Sequence, residues 1–386
     1  MEHLSPRTIL EHLVAFPTVS RDTNLPLIHW VADYLGGHGI EAHIWPDPKQ
    51  PEKAALFAHV GPVEEGAVVL SGHTDVVPVD GQDWDTDPFV LTEKAGKLYG
   101  RGSTDMKGFD ALAIWAMVEA QRNGVTRPLQ IALSFDEEVG CTGAPPMIEA
   151  MQHVLPKGKC VIVGEPSMMK CVTGHKGGNG FKTHVRGFEV HSSLADQGVS
   201  AIHEAARLIQ WANDMNAAAS VQAPSEMAAL FSPCWTSWHV GKIEGGTAHN
   251  IMAKDCHFMM SFRAVPGDDV DALGRAWLDK VAGVQQGMQA IHPDTGIDVE
   301  KYFDVPPLTP ETDGAAEALA RALTGDNGTH VVSYGTEGGQ FQAAGYSAVV
   351  CGPGDIAQAH QPNEFIEIEQ FEAGHGLIRD LVERLM

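Results

Sequence analysis

The chain is poor in positive charge: 26 Lys and Arg stand against 50 Asp and Glu in 386 residues, a formal net charge of −24. Such a field repels nucleic acid and anionic membranes and favours small cationic ligands at long range, although an acidic surface kept for solubility produces the same excess. Neither nucleic acid nor a membrane is therefore an expected partner. No run approaches the roughly 18 apolar residues that span a bilayer, and no basic N-terminal segment leads into an unbroken apolar core. The six cysteines (Cys141, Cys160, Cys171, Cys234, Cys256 and Cys351) show no CxxC spacing, and most lie in apolar strand-like runs where a free thiol packs as a small hydrophobe. These absences predict a reduced, cytoplasmic protein that is neither secreted nor embedded. With 44% apolar and 7% aromatic residues the composition is that of a soluble globular protein, and the length exceeds what one hydrophobic core normally serves, so two domains are expected.

Helical and strand-like signals alternate through the first half, the pattern of helices packed on a largely parallel sheet. Helical spacing covers residues 6–16, 26–34 and 106–121; short buried strands are predicted at 54–60, 67–70, 129–135 and 160–163. The pattern changes after Gly174-His175-Lys176-Gly177-Gly178. There a strand at 181–185, a helix at 201–212, paired strands at 235–243 and 256–264, a helix at 270–284 and a strand at 297–303 follow in the order β-α-β-β-α-β, that of a ferredoxin-like domain. Strand signals at 331–333 and 347–351 and a terminal helix from Ile368 then resume the first pattern. The predicted architecture is an α/β domain, helices on a mixed, mostly parallel sheet, built from 1–175 and 305–386 and interrupted by an inserted α+β domain at 176–304.

Acids and histidines gather where the strands are predicted to end, and ligands of open α/β sheets collect outside the carboxyl ends of strands. Residues two apart on a strand face the same side, so His73 and Asp75 project together, His73 as a metal ligand and Asp75 as the carboxylate that orients its ring. A solvated strand-end turn is the plain alternative. Asp105 lies at the start of a helix inside a glycine-rich turn; it is either an N-cap or a carboxylate bridging two metals roughly 3.5 to 4 Å apart. Asp136-Glu137-Glu138 follows an apolar strand, where three adjacent acids repel one another unless cations neutralise them. Glu138 is assigned to metal and Glu137 to the base; a solvated acidic loop is the competing reading. Glu165 stands at another strand end before Pro166, and His360 lies beyond Gly352-Pro353-Gly354. Any one of the 19 histidines is more often an ordinary residue than a ligand, but the agreement of His73, Asp105, Glu138, Glu165 and His360 suits zinc with an open water position.

Ser71-Gly72-His73-Thr74-Asp75-Val76-Val77-Pro78-Val79-Asp80, residues 99–109 and 136–140, Gly164-Glu165-Pro166 and Ala359-His360 together resemble the zinc-dependent metallopeptidase and deacylase family of acetylornithine deacetylase, succinyl-diaminopimelate desuccinylase, aminoacylase and glutamate carboxypeptidase. The resemblance runs in order over nearly the whole chain. It implies a zinc-exopeptidase-like catalytic domain interrupted by a lid or dimerisation domain, a cytoplasmic homodimer through that insertion, and a cis peptide after Asp105. It implies two zinc ions, with cobalt as a substitute: His73 and Glu165 on one, Glu138 and His360 on the other, Asp105 on both. Pro78-Val79-Asp80-Gly81-Gln82, Phe109 and Tyr334-Gly335-Thr336-Glu337-Gly338-Gly339-Gln340 look most like the acetylornithine deacetylase branch.

That branch implies hydrolysis of N-acetylornithine to ornithine and acetate in arginine biosynthesis, with Glu137 taking the water proton and handing it to the departing amine. The resemblance adds His191, from the same or the partner subunit, for the carbonyl oxygen, Asn250 as a hydrogen-bonding group and Arg263 for the α-carboxylate. His191 as a turn cap and Arg263 as a surface strand residue are the plain alternatives. Glu337 is the expected partner of the ornithine ammonium. Rival functions are deacylase, desuccinylase or carboxypeptidase action on another N-acyl amino acid or dipeptide, and a non-catalytic binding protein of the same fold.

Overall fold

A computed structural model describes all 386 residues, which form two compact units. The first comprises Met1–Gly174, Leu308–Val331 and Thr336–Met386; the second comprises His175–Pro307 and Val332–Gly335. The second unit thus takes a further short segment, Val332–Gly335, beyond the insertion drawn at 176–304.

The first unit is built on an eight-stranded sheet in the order Ala42–Pro46, Ala54–Val60, Leu129–Ser134, Val68–His73, Cys160–Pro166, Ser347–Gly352, Val172–His175, His330–Val332. The four strands from Leu129–Ser134 to Ser347–Gly352 are mutually parallel, and antiparallel strands flank them on both sides. These central strands read as near-continuous apolar runs because both their faces are covered. Helix Lys107–Asn123 is buried along most of its length between the sheet and the helices Pro6–Val14 and Ile368–Leu385, and it stops at Gly124, whose φ of 65° is the left-handed value glycine adopts freely.

Two glycines set how closely this helix approaches the sheet. A Cβ on Gly72 would lie 2.0 Å from Asp110 Oδ1, and one on Gly164 would lie 1.9 Å from the Phe109 ring. Both are followed directly by candidate ligands, His73 and Glu165. A small three-stranded sheet, Thr92–Lys94, Lys97–Tyr99 and Phe365–Glu367, pairs the approach to Asp105 with the segment just after His360.

The second unit is a four-stranded antiparallel sheet of Gly178–Arg186, Ser237–Gly245, Asp255–Arg263 and Gly296–Val305. The first and third strands lie in the middle and the second and fourth at the edges, the β-α-β-β-α-β order of a ferredoxin-like domain. Helices Ala201–Ser220 and Val270–Ile291 bury one face over Phe181, Trp238 and Phe262, with Trp277 of the second helix packed among them; Ser200 and Asp269 cap the helices by accepting from His203 N and Ala272 N. All six cysteines are free, and no helix is long and apolar enough to cross a membrane.

Candidate metal centre

Three of the four parallel strands carry candidate ligands at or just beyond their carboxyl ends. His73 is the last residue of its strand, Glu165 the penultimate one of its own, and Glu137 and Glu138 follow the strand that ends at Ser134. His73 Nδ1 lies 2.9 Å from the Asp75 backbone carbonyl. A carbonyl only accepts, so Nδ1 holds a proton and Nε2 is aimed into the cluster, 3.2 Å from Asp105 Oδ1 and 3.8 Å from Glu165 Oε1. His360, in a loop with φ of 64°, brings its Nε2 to 2.9 Å from Glu138 Oε2 and 3.3 Å from Asp105 Oδ2. Asp105 therefore turns one oxygen to each imidazole. The peptide between Asp105 and Met106 is cis.

Asp75 is differently placed from the sequence expectation. Beyond His73, Thr74 keeps to the neighbouring strand, donating its N–H and hydroxyl to the Ser134 carbonyl. The Asp75 carboxylate lies 3.5 Å from His73 Nδ1, farther than its own backbone carbonyl, and accepts instead from Ser20 Oγ (2.7 Å), Glu137 N (3.1 Å) and Glu138 N (3.3 Å). It holds the acidic loop at least as directly as it orients the histidine. Asp136 adopts φ of 55° and sends its carboxylate to Lys53 and Gln50, so of the three adjacent acids only Glu137 and Glu138 join the cluster.

The electrostatics are those of four acids crowded around two imidazoles. Burial pushes the Glu138 carboxyl up to about 8, with the Asp105 charge adding to it, and burial together with Asp105 and Glu137 drives Glu165 well above the carboxylate range. Glu165 Oε1 is buried with no hydrogen-bond partner. Burial opposes ionisation of Asp105 as well, but hydrogen bonds from His360 and His73 outweigh it and hold that carboxyl below its ordinary value. Those bonds raise His360 to about 10, Asp105 contributing most and Glu138 next. Donor atoms of His73, Glu137 and Glu165, and of His73, Asp105 and Glu138, lie within 4.8 Å of one another in each set. Mixed imidazole and carboxylate donors, an orphaned buried carboxylate oxygen and mutually repelling acids fit divalent cations.

Glu337 is interior: it is 1% exposed, and its two oxygens accept from Ser134 Oγ and Ser71 Oγ, side chains of adjacent parallel strands. Burial pushes its carboxyl up to about 8 against the pull of the Ser134 hydrogen bond. A folded-state value above the ordinary 4.5 means that the folded protein binds this proton more tightly. The stabilising contribution is fully present below that ordinary value and disappears as pH climbs through about 8. In metal-stripped protein, Glu337→Gln should match the parent near pH 4.5 and exceed its stability by up to about 4 kcal/mol at pH 8, measured by urea unfolding. Parallel pH profiles of the two proteins would discard this assignment.

The remaining expected substrate residues lie in the second unit. His191 is exposed and caps the 3₁₀ turn Ser192–Leu194, its Nδ1 accepting from Ser193 N at 3.2 Å, which is the plain role weighed for it. The Asn250 carbonyl accepts from Ser192 N at 2.9 Å and Ile251 bridges His191, so these two loops are adjoined. Arg263 ends its strand, exposed, with its guanidinium 5.8 Å from the Phe303 ring centroid.

Several participants left no usable mark in the sequence. Ser20 and Lys53 come from separate early segments, and Cys141 donates its thiol to Glu137 Oε1 at 3.1 Å. Glu364 accepts from the backbone of the glycine-rich turn. The only available signal was a charged residue, Arg101, inside a turn otherwise chosen for backbone freedom.

Known proteins share this sequence pattern and this fold. The model of peptidase family M20/M25/M40 matches residues 69–384. A protein named acetylornithine deacetylase from Myxococcus xanthus is 34% identical over 374 residues, covering 94% of this chain and 93% of that protein. Among solved structures, the M20 family metallo-carboxypeptidase Sso-CP2 from Sulfolobus solfataricus superposes with a TM-score of 0.79 at 17% identity over 99% of each chain. The Bacillus subtilis YXEP protein, described as a dinuclear metal binding peptidase from the M20 family, gives 0.65 at 13% identity over 98% of this chain and 97% of that one. These two likenesses speak for the fold, whereas the family match and the deacetylase relative span nearly all the elements that converge on Asp105. By that breadth of agreement the chain belongs to peptidase family M20/M25/M40, whose members are metal-dependent amide hydrolases.

Proposed function

We propose that this chain hydrolyses the acyl amide of an N-acyl amino acid, N-acetylornithine in the first instance, to release acetate and the free amine. The observation that carries the reading is Asp105, with one oxygen toward His73 and the other toward His360. His73 and Glu165 would hold one divalent ion, Glu138 and His360 a second, and Asp105 both; the nitrogen and oxygen donor set favours zinc. Ions so held supply Lewis acidity and bring the pKa of water, about 15.7 in bulk, toward neutrality.

The chain's own residues supply the proton traffic. Glu137 is half-buried, so water reaches it, and the Cys141 thiol engages its Oε1, leaving Oε2 to accept. Glu137 takes the proton of the attacking water, holds it while the acyl carbon is tetrahedral, and gives it to the departing nitrogen. Asp75, tied to the backbone N–H groups of Glu137 and Glu138, fixes the loop that aims this base. From the motif resemblance we assign His191 to the acyl oxygen, Asn250 to a substrate hydrogen bond and Arg263 to the α-carboxylate. The same resemblance supports a cytoplasmic homodimer through the second unit, with a place in arginine biosynthesis.

The name of the Myxococcus xanthus relative supports acetylornithine. One observation favours a broader reading, another N-acyl amino acid or a dipeptide: with Glu337 buried against two serines, no acid remains assigned to the ornithine ammonium. A panel of N-acetyl amino acids, N-succinyl amino acids and dipeptides, assayed with zinc-loaded protein, separates the two. Acetylornithine should lead in kcat/KM by at least an order of magnitude; equal rates on neutral acetylated amino acids would establish the broader reading.

A further inference from the structure

Asp105 and His360 are far apart in sequence and sit on loops, yet both face the same few ångströms of space. What holds them there lies outside the cluster. Strands Lys97–Tyr99 and Phe365–Glu367 pair with Tyr99 opposite Phe365, which lays residues 101–105 beside residues 360–364. Across that seam, the buried Glu364 carboxylate accepts four hydrogen bonds: Thr104 N at 2.9 Å and Asp105 N at 3.1 Å on Oε1, Gly102 N at 3.1 Å and Arg101 Nη1 at 2.6 Å on Oε2. The buried Arg101 passes the connection on. Its Nη2 donates to Gln82 Oε1 at 2.6 Å, and Gln82 Nε2 donates to the His360 carbonyl at 2.9 Å.

The path from the backbone N–H of one candidate ligand to the backbone carbonyl of the other is therefore unbroken: Asp105, Glu364, Arg101, Gln82, His360. The three residues between its ends, Glu364, Arg101 and Gln82, are not among those assigned to metal or substrate. The path is needed at its His360 end above all, because that side chain is 52% exposed while Asp105 is 7% exposed and backed by the fold. Arg101 Nη1 also reaches the neighbouring Gln361 carbonyl at 3.4 Å, but the His360 carbonyl itself is held by Gln82.

We propose that Gln82, Arg101 and Glu364 act as a positioning relay that sets the separation of Asp105 and His360, and so selectively governs the metal position that these two share with Glu138. The inference rests on the ligand assignment made above. Outer residues that orient metal ligands typically contribute 10- to 100-fold in affinity, and the relay puts that contribution on one of two ions.

Zinc titration of metal-stripped protein against a chromophoric chelator tests it, with zinc alone as the probe and bound equivalents counted. The parent should bind two equivalents. Gln82→Ala, at a half-exposed position whose loss does not threaten the core, should weaken one equivalent about 10- to 100-fold and leave the other unchanged. Gln82→Glu keeps an acceptor for Arg101 but has no donor for the His360 carbonyl, and should show the same one-site loss. His360→Ala is the control and should lose that same equivalent. Should His360→Ala still bind two equivalents, the ligand assignment itself is wrong; should it lose one while both Gln82 variants bind two at parental affinity, the relay is overturned. Equal weakening of both equivalents in the Gln82 variants also overturns it, since a general loosening of the fold has no reason to single out one ion.

Discussion

Glu137→Gln should lower kcat by roughly 10²- to 10⁴-fold, the usual contribution of a positioned general base, with KM and bound zinc close to parental. The substitution is nearly isosteric. Its amide oxygen can still face the Cys141 thiol, and Asp75 still holds the loop through the backbone N–H groups of residues 137 and 138. Only the capacity to take up a proton is removed. A fall in kcat with unchanged zinc content separates this role from that of the adjacent Glu138, whose loss should remove an ion as well as activity. A Glu137→Gln protein that turns over within a factor of a few of the parent would end the assignment, and the proton would have to be taken elsewhere.

Asp105→Asn has the second largest expected effect, and it is legible without an assay of activity. Zinc at about 1,000 times its Kd raises the apparent unfolding free energy of a protein that binds it only when folded by about 4 kcal/mol per site. The parent should show a rise of that order over its chelated form. In Asp105→Asn one anionic oxygen becomes an amide that faces an imidazole or an ion, so both positions suffer together and the zinc-induced rise should largely vanish. In chelated protein the two histidines also lose the anion that now holds them charged. His360, raised to about 10, contributes stability that is fully present below about 6.5, the ordinary histidine value, and fades as pH climbs toward 10. Asp105→Asn should flatten that alkaline fall. Undiminished stabilisation by zinc in the variant would show that Asp105 does not bridge.

The reach of the sequence differed from element to element. Residues 54–60 read as a buried strand, and the strand is Ala54–Val60; the first helix and the second strand of the inserted unit run on to Ser220 and to Gly245 over mostly exposed residues, the strand because its backbone goes on pairing with Asp255–Arg263. The expected orientation of Asp75 was drawn from strand alternation; its carboxylate lies 3.5 Å from His73 Nδ1 and also accepts from Ser20 and from the backbone of Glu137 and Glu138, partners that only the fold brings to it. Glu337 was read from its place in a distinctive glycine-flanked run. Two serines from different strands claimed it, and no local signal announces a partner that arrives from 203 or 266 residues away.

From composition, spacing and motif resemblance alone came the alternation that builds a parallel sheet, the β-α-β-β-α-β insertion and the set of acids and histidines at strand ends. Each of these is local: a period along the chain, or a residue type beside a turn. Only the tertiary structure decided which oxygen of Asp105 meets which imidazole, that Asp136 is withdrawn to Lys53, that Glu337 is interior, and that Gln82, Arg101 and Glu364 join two distant ligands. The reason is that hydrogen bonds and ion pairs act over about 3 Å, so roles that depend on them exist only once the fold has brought remote segments to that distance.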